Sequence, residues 1–247
     1  MSSIFLTTPA VDSEPLATIR FPPYTVSMSH PDPEIVLTTD VVLFAIVYGE
    51  LSVLSIRRHK PPFAEELTLP GGYVRAGETS EEGATRVLEE KAGLKEMHIE
   101  QLYFFDEPGR DPRGNFASIS FLATCHLDNV SIEESSSMFQ PRFVPLKTHL
   151  GFDHNSIVSC AVGRLRHKLQ YTSIISTMLP AEFTLTDLQN YYEIILETTL
   201  DKRNFRKKFL SLDLLEETGN LRKGLKQRPA KLYRFVPTET TDIKKWF

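Results

Sequence analysis

The feature that most constrains this chain is a loop-and-helix unit running from Gly72 to Leu94. Thr79 to Ala92 contains no proline, opens with Thr-Ser-Glu-Glu and is followed by Gly93. That start and stop signature predicts a short helix entered from a glycine loop. Positions 87, 90 and 91 are three and four residues apart, so they share one helical face. The face carries Val87, Glu90 and Lys91: one apolar group, one acid and one base. Glu89 is expected to point elsewhere.

The same stretch resembles the Nudix box, whose pattern is Gly, five residues, Glu, seven residues, Arg-Glu-apolar-any-Glu-Glu-any-Gly-apolar. Gly72, Glu78, Arg86, Leu88, Glu90, Gly93 and Leu94 fall on pattern positions, while Val87 and Lys91 stand where the family places carboxylates. In an active Nudix enzyme this face presents acids to magnesium ions bridging a diphosphate. Hard cations need several oxygen ligands, and the metal activates water and neutralises developing charge. An ammonium at position 91 would repel magnesium but could pair directly with a phosphate. Three readings compete: a chance match on a solvated helix, a hydrolase with relocated ligands, and a retired hydrolase that still binds a nucleoside diphosphate compound. The number of matched positions argues against chance, and the third reading is adopted over the second. It requires no cofactor; Mg2+ is implied only if hydrolysis is retained.

The 247 residues allow one large domain or two modest ones, with an ordinary soluble composition. Cys125 and Cys160 lie in largely apolar stretches without metal spacing and are expected as small buried hydrophobes. No apolar run approaches a membrane span, and no basic segment precedes Arg20, which argues against a secretory signal. The expected compartment is a reducing cytoplasm.

Residues 1–34, rich in Ser, Thr and Pro, are expected to be a poorly ordered arm. Strands are predicted at Asp40–Tyr48 and Leu51–Arg58, joined through Gly49-Glu50, then near Ile99–Phe105 and Ala117–His126, with a strand end at Phe143. Asn155–Leu169 reads as an amphipathic helix. Mixed sheet with helices on either side is what the Nudix resemblance implies for residues 35–170.

The C-terminal region, taken as residues 171–247, has another character. Leu200–Arg234 holds eleven Lys/Arg against four Asp/Glu, a local charge of +7 in a chain of net −4. Such asymmetry suggests that this end meets a polyanion. After Thr184 or Thr186 as a cap comes a helical pattern to about Leu196, a turn near Thr198-Thr199, and a basic helix with Phe205, Phe209 and Leu212 on one stripe. Leu221–Phe235 reads as a basic hairpin. Helix, turn, basic helix and hairpin is the order of a winged helix-turn-helix. The second helix would enter the major groove. Arg203, Asn204 and Arg206 suit base edges, because Arg grips guanine and Asn adenine; Lys202 shares their helix. Lys207, Lys208, Lys223, Lys226 and Arg228 suit phosphates or a wing. A solvated basic face is the plain alternative.

Together the two halves resemble the Nudix-related transcriptional regulators of NAD metabolism over roughly residues 35–237. The matching segments are the altered Nudix box, Arg110-Asp-Pro-Arg113, Leu200-Asp-Lys-Arg-Asn-Phe-Arg-Lys-Lys208 and Arg228-Pro-Ala-Lys-Leu-Tyr-Arg-Phe235. The resemblance implies an α+β architecture: a Nudix αβα sandwich with mixed sheet, followed by a winged helix-turn-helix domain. It implies a homodimeric repressor of NAD biosynthesis or salvage genes that binds double-stranded DNA at a palindromic operator. ADP-ribose is the usual effector, although related members answer to other metabolites. The N-terminal arm departs from the family.

Under that resemblance, Gly71 and Gly72 let the backbone approach a diphosphate, and Arg57 and Arg58 hold phosphate or stack on adenine. Arg110 and Arg113 lie beside the pocket mouth; Phe104, Phe105 or Tyr73 could flank a base, though core packing is the commoner role for an aromatic. Glu90 and Lys91 face the ligand, and Glu78 with Arg86 binds it or forms a structural ion pair. The linker around His167–Pro180 is the expected route of coupling between a ligand-free, DNA-binding state and a ligand-bound one. Two other classes stay open: a pyrophosphatase acting on ADP-ribose or a sugar nucleotide, and a scaffold whose basic segment meets an acidic protein.

Overall fold

The computed structural model describes residues 34–95, 97–130, 138–222 and 229–236. Of the expected N-terminal arm, only Glu34 falls among them, and Lys223, Lys226 and Arg228 lie outside the described residues.

Strand β1 (Val36–Val47) is covered on both sides, which is why it reads as a nearly continuous apolar run. Val41, Leu43 and Ala45 face one cluster, and Val42 and Phe44 face the other. It begins four residues before the predicted start. β1 turns into β2 (Glu50–Arg57) through Tyr48 and Gly49, both with positive φ, the pattern of a type I′ hairpin. The remaining strands of the sheet are β3 (Leu67–Thr68), β4 (Gly71–Tyr73), β5 (Ile99–Phe105), β6 (Phe116–Thr124) and β7 (Arg142–Pro145). The order is β3-β2-β1-β6-β5, with β4 paired to β1 and β7 to β2. β1 and β6 run parallel and the other pairs antiparallel, so the sheet is mixed.

Helix α1 (Ser80–Ala92) starts at Thr79, whose side chain accepts from the Glu82 N–H while Glu82 accepts from the Thr79 N–H. It ends at Gly93 in the left-handed conformation, φ 70°. Ala84, Leu88 and Ala92 press it onto the Leu43 side of the sheet. Helix α2 (His154–Lys168) covers the other side through Ile157, Val158, Ala161 and Leu165.

A 3-10 turn at Ile174–Thr177 leads to α3 (Leu185–Leu196), α4 (Lys202–Leu210) and the hairpin of β8 (Leu215–Arg222) with β9 (Ala230–Phe235). Thr184, not Thr186, caps α3, in a capping box with Asp187. Asp201 caps α4. Phe205 and Phe209 of α4 stack at 5.5 Å and meet Tyr192 of α3 edge-on. Burying each such side chain contributes roughly 1.5–3 kcal/mol. The apolar cluster that holds Phe44 and Leu165 also holds Ile175, Met178, Tyr192 and Phe209. The core therefore runs unbroken across position 170, and the expected linker at 167–180 is a packed segment with Ile174, Ile175, Met178 and Leu179 buried.

Cys125 is buried, which pushes its thiol up to about 12, and Cys160 is half-buried; both are free. Among the described residues no helix is long and apolar enough to cross a membrane.

Candidate functional site

The loop ahead of α1, the segment after β2, the β5–β6 loop and the start of α2 enclose a cavity of about 660 Å³. That is ample for a small molecule, since such sites run from about 300 to 1,000 Å³. Its floor is Asp40 in β1, which is buried and accepts a 2.6 Å hydrogen bond from the Ser118 hydroxyl. Gly71 lies against it: a Cβ there would stand 2.0 Å from Asp40 Oδ1 and 2.9 Å from the Thr39 carbonyl. Only glycine fits. At Gly72 a Cβ would come within 2.9 Å of Val87 Cγ2. Val87, fully buried, thus props the loop from below at a position where the Nudix pattern has an acid.

Arg58, Lys60, Lys91, Arg110 and Arg113 line the cavity against Asp40 and Asp111. Lys91 reaches from α1 to the Gly71 carbonyl and lies over the Phe139 ring at 5.3 Å. Burial lowers its pKa, partly opposed by the Asp40 carboxylate. Arg58 donates to the Pro62 carbonyl at 2.6 Å and lies 5.0 Å over the Phe152 ring. Burial, and then Arg113, pull its pKa below the usual arginine value. Arg113 is held by Asp111 and donates to the Tyr73 hydroxyl at 3.0 Å. Burial works against the Asp111 carboxylate, yet hydrogen bonds from Arg113 hold its pKa below the usual range. Arg110 makes two 2.9 Å bonds to Asp153. His154 Nδ1 accepts from the Leu69 N–H at 2.9 Å, which places any ring proton of the neutral form on Nε2, 3.6 Å from Asp40. Burial lowers its pKa and favours that neutral form.

The cavity gathers Arg58, Gly71, Gly72, Lys91, Arg110, Arg113 and Tyr73, all expected at a ligand. It does not gather the rest. Arg57 sits at the end of β2 beside Glu65, 3.5 Å away. Glu78 accepts from Arg86 at 2.6 Å and from the Arg75 N–H at 2.6 Å. Arg86 also donates to Glu90 and to the Tyr73 carbonyl, so Glu78, Arg86 and Glu90 form a latch holding the loop on α1. Phe105 packs edge-on against Tyr103 and Phe104 is exposed; neither lines the cavity. Asp40, Lys60, Phe139, Phe152 and His154 also line the cavity, beyond the residues the sequence points to. The one sequence signal was for Asp40, a lone acid leading an apolar run.

On α4, Lys202, Arg203, Asn204, Lys207 and Lys208 are exposed while Phe205 and Phe209 are buried, and Arg203, Asn204 and Lys207 lie on the face opposite those rings. Arg206 is instead half-buried and donates to Thr186 on α3 at 3.0 Å. Much of the hairpin's positive charge is matched: Lys231 pairs with Glu217, Arg234 with Glu216 and Arg222 with Asp187. Among the described residues of the C-terminal region, the basic character is therefore concentrated on α4.

Fold and site define a Nudix-fold domain continuous with a winged helix-turn-helix. Residues 38–156 match the family model for the NUDIX domain, and residues 175–235 match that for the NrtR DNA-binding winged helix domain. The chain is 35% identical over 219 residues to the "ADPR responsive transcriptional repressor NtrR" of Acinetobacter baylyi, covering 83% of each chain. It also resembles the crystal structure of Shewanella oneidensis NrtR complexed with a 27mer DNA, with a TM-score of 0.73 and 32% identity. That likeness covers 81% of this chain and 93% of the other. An ADP-ribose pyrophosphatase of Methanocaldococcus jannaschii is 33% identical over 122 residues, 48% of this chain and 70% of that protein. The chain belongs to the NrtR family of Nudix-related transcriptional regulators.

Proposed function

We propose that the chain is a DNA-binding repressor of NAD biosynthesis or salvage genes, with a Nudix domain that senses ADP-ribose without hydrolysing it. The observation that carries the sensor reading is the charge of the cavity: five cations against two carboxylates, under aromatic walls. A diphosphate flanked by adenosine and ribose suits that lining. Lys91, Arg58 and Arg113 are the diphosphate contacts, with Arg110 behind them and Gly71 and Gly72 allowing close backbone approach. Tyr73, Phe139 and Phe152 offer ring faces to adenine. Arg57, Glu78, Arg86 and Glu90 act indirectly, by holding the surrounding loops. The name of the Acinetobacter relative supports ADP-ribose as the effector.

The donor set does not fit catalytic magnesium. Val87 is buried under the loop, Glu90 is held by Arg86 and Arg75, and Lys91 places an ammonium where a third acid would stand. Among the described residues no group of three His, Cys, Asp or Glu is placed to hold a metal ion. The second reading, a pyrophosphatase, draws on the Methanocaldococcus relative. Magnesium-dependent turnover of ADP-ribose at ordinary enzymatic rates would establish it.

On the DNA side, Arg203 and Asn204 read bases, and Lys202, Lys207 and Lys208 contact phosphates. Arg206 positions α4 on α3, and Lys223, Lys226 and Arg228 suit, by residue type, phosphate contacts or a wing. A homodimer would place two α4 helices on the half-sites of a palindromic operator. The deciding experiment is a fluorescence-anisotropy titration of the protein with promoter DNA, with and without ADP-ribose. Selective binding that ADP-ribose weakens is expected; selective binding indifferent to ADP-ribose would replace the effector, and no selective binding would sink the repressor.

A further inference from the structure

Helix α2 runs from the cavity to the C-terminal end of α3. Fifteen residues make a rod of about 22 Å. Its N-terminal end forms part of the cavity wall. Asp153, the N-cap residue, makes no side-chain cap and spends its carboxylate on Arg110, while His154 faces Asp40.

The last turns of α2 carry three basic residues in alternation. Arg164 donates to the Leu102 carbonyl at 2.9 Å, and Lys168 pairs with Glu100. Both partners lie on β5, so this face, with its two residues four apart, is turned to the sheet. Arg166 lies between them and points the other way, because two residues rotate a helix by about 200°. Its Nε donates to the Ile195 carbonyl at 2.7 Å, and its Nη2 stands 3.0 Å from Glu197 Oε1. These are the last turn and C-cap of α3, where carbonyls lack partners within the helix. Glu197 is also held in the left-handed conformation, φ 52°, which a side chain seldom adopts. Through Tyr192, Phe205 and Phe209, α3 is packed to α4.

Given the sensor reading above, we infer that α2 carries effector occupancy to the winged helix, and that Arg166 is the positioning residue that passes it on. An anionic ligand in the cavity competes with Asp153 for Arg110 and re-seats the first turn of α2. The rod conveys that shift to its far end, and Arg166 converts it into a displacement of α3 with α4. The continuous apolar core makes this a small sliding of packed helices, not a hinge at a free linker. Arg166 touches neither the cavity lining nor the exposed face of α4, so its loss should uncouple two intact sites.

The test is operator affinity of the full chain with and without saturating ADP-ribose, alongside ADP-ribose affinity by calorimetry, for wild type, Arg166→Ala and Glu197→Gln. The wild-type ratio of operator affinities should fall in the usual range of about 5- to 150-fold. Arg166→Ala should bring the ratio below about 2-fold while leaving ADP-ribose affinity within about 2-fold of wild type. Glu197→Gln, which keeps the bond to Ile195, should fall between. A ratio that Arg166→Ala leaves at the wild-type value overturns the coupling alone. If Arg166→Ala does not fold, Glu197→Gln decides, and an unchanged ratio there overturns the coupling. A wild-type ratio of one on DNA that is selectively bound overturns the sensor reading, and the coupling with it.

Discussion

Helices α1 and α4 are both short, both capped and both densely charged, yet they use their charges in opposite ways. On α1, Glu82 closes the capping box, Glu89 pairs with Lys95, Glu90 is held by Arg86, and Lys91 reaches the Gly71 carbonyl. These charges bind the protein to itself, and of them Lys91 also lines the cavity. On α4, Asp201 spends its carboxylate on the Asn204 N–H, and Arg203, Asn204 and Lys207 stand exposed on one side. Arg206 is the member drawn inward, to Thr186. A count of charged residues would have ranked the two helices as similar. Their partners separate them: α1 has little left to offer a metal ion, whereas α4 offers a cationic face to a polyanion.

The comparison can be broken most forcefully at the α1 loop. Gly71→Ala places a methyl group 2.0 Å from the Asp40 carboxylate and 2.9 Å from backbone. Overpacking of this kind costs about 1–3 kcal/mol, and thermal unfolding should show that loss together with failed ADP-ribose binding by calorimetry. Wild-type stability and affinity in this variant would mean that the loop shifts freely to admit the methyl group. On α4, Arg203→Ala should cost about 1–3 kcal/mol of discrimination between operator and scrambled DNA. Equal losses on both DNAs would move Arg203 to the phosphate contacts. Lys207→Ala should weaken both DNAs alike and reduce the salt slope of binding by about one counterion. An unchanged slope would remove Lys207 from the interface.

What was legible in the sequence follows the same division. Local signals survived: the Thr79 and Gly93 boundaries of α1, and the helix–turn–helix–hairpin order of the C-terminal region. Parity did not. Arg57 and Arg58 are neighbours at the end of β2, and one residue decides which of them reaches the cavity. In a strand covered on both faces the alternation of polar and apolar residues that would reveal parity is missing; Val53, Leu54 and Ile56 are all buried. Phe105 ends β5 shortly before the Arg110 loop, yet it packs on Tyr103 and lines no part of the cavity, for β5 is the edge of the sheet. His154 and Phe139 arrive from far along the chain, and no local pattern announces a contact with Asp40 or Lys91. The continuous core across position 170 is likewise a tertiary fact: each segment carries its own apolar stripe, and nothing in either stripe says that they merge.

The smallest expected effect sharpens the view that α1 uses its charges internally. Hydrogen bonds from the Arg86 side chain and then the Arg75 N–H lower the Glu78 pKa from 4.5 to about 2. A carboxyl whose pKa is lower in the folded state binds its proton more readily when unfolded. Its contribution is therefore complete above about 4.5 and is lost as the pH falls towards about 2. Glu78→Gln keeps the shape but removes the charge, so it should unfold at a lower temperature than wild type at neutral pH. The gap should close through the same window as wild-type Glu78 becomes protonated. Comparing the two proteins at each pH cancels the other carboxylates, which titrate in both. The Arg86 and Glu78 side chains are only 20% and 16% exposed, so added salt should narrow the gap only slightly. A gap that persists unchanged to low pH would assign the loss to packing, and no gap at any pH would mean that Arg86 holds the loop through Glu90 and the Tyr73 carbonyl alone.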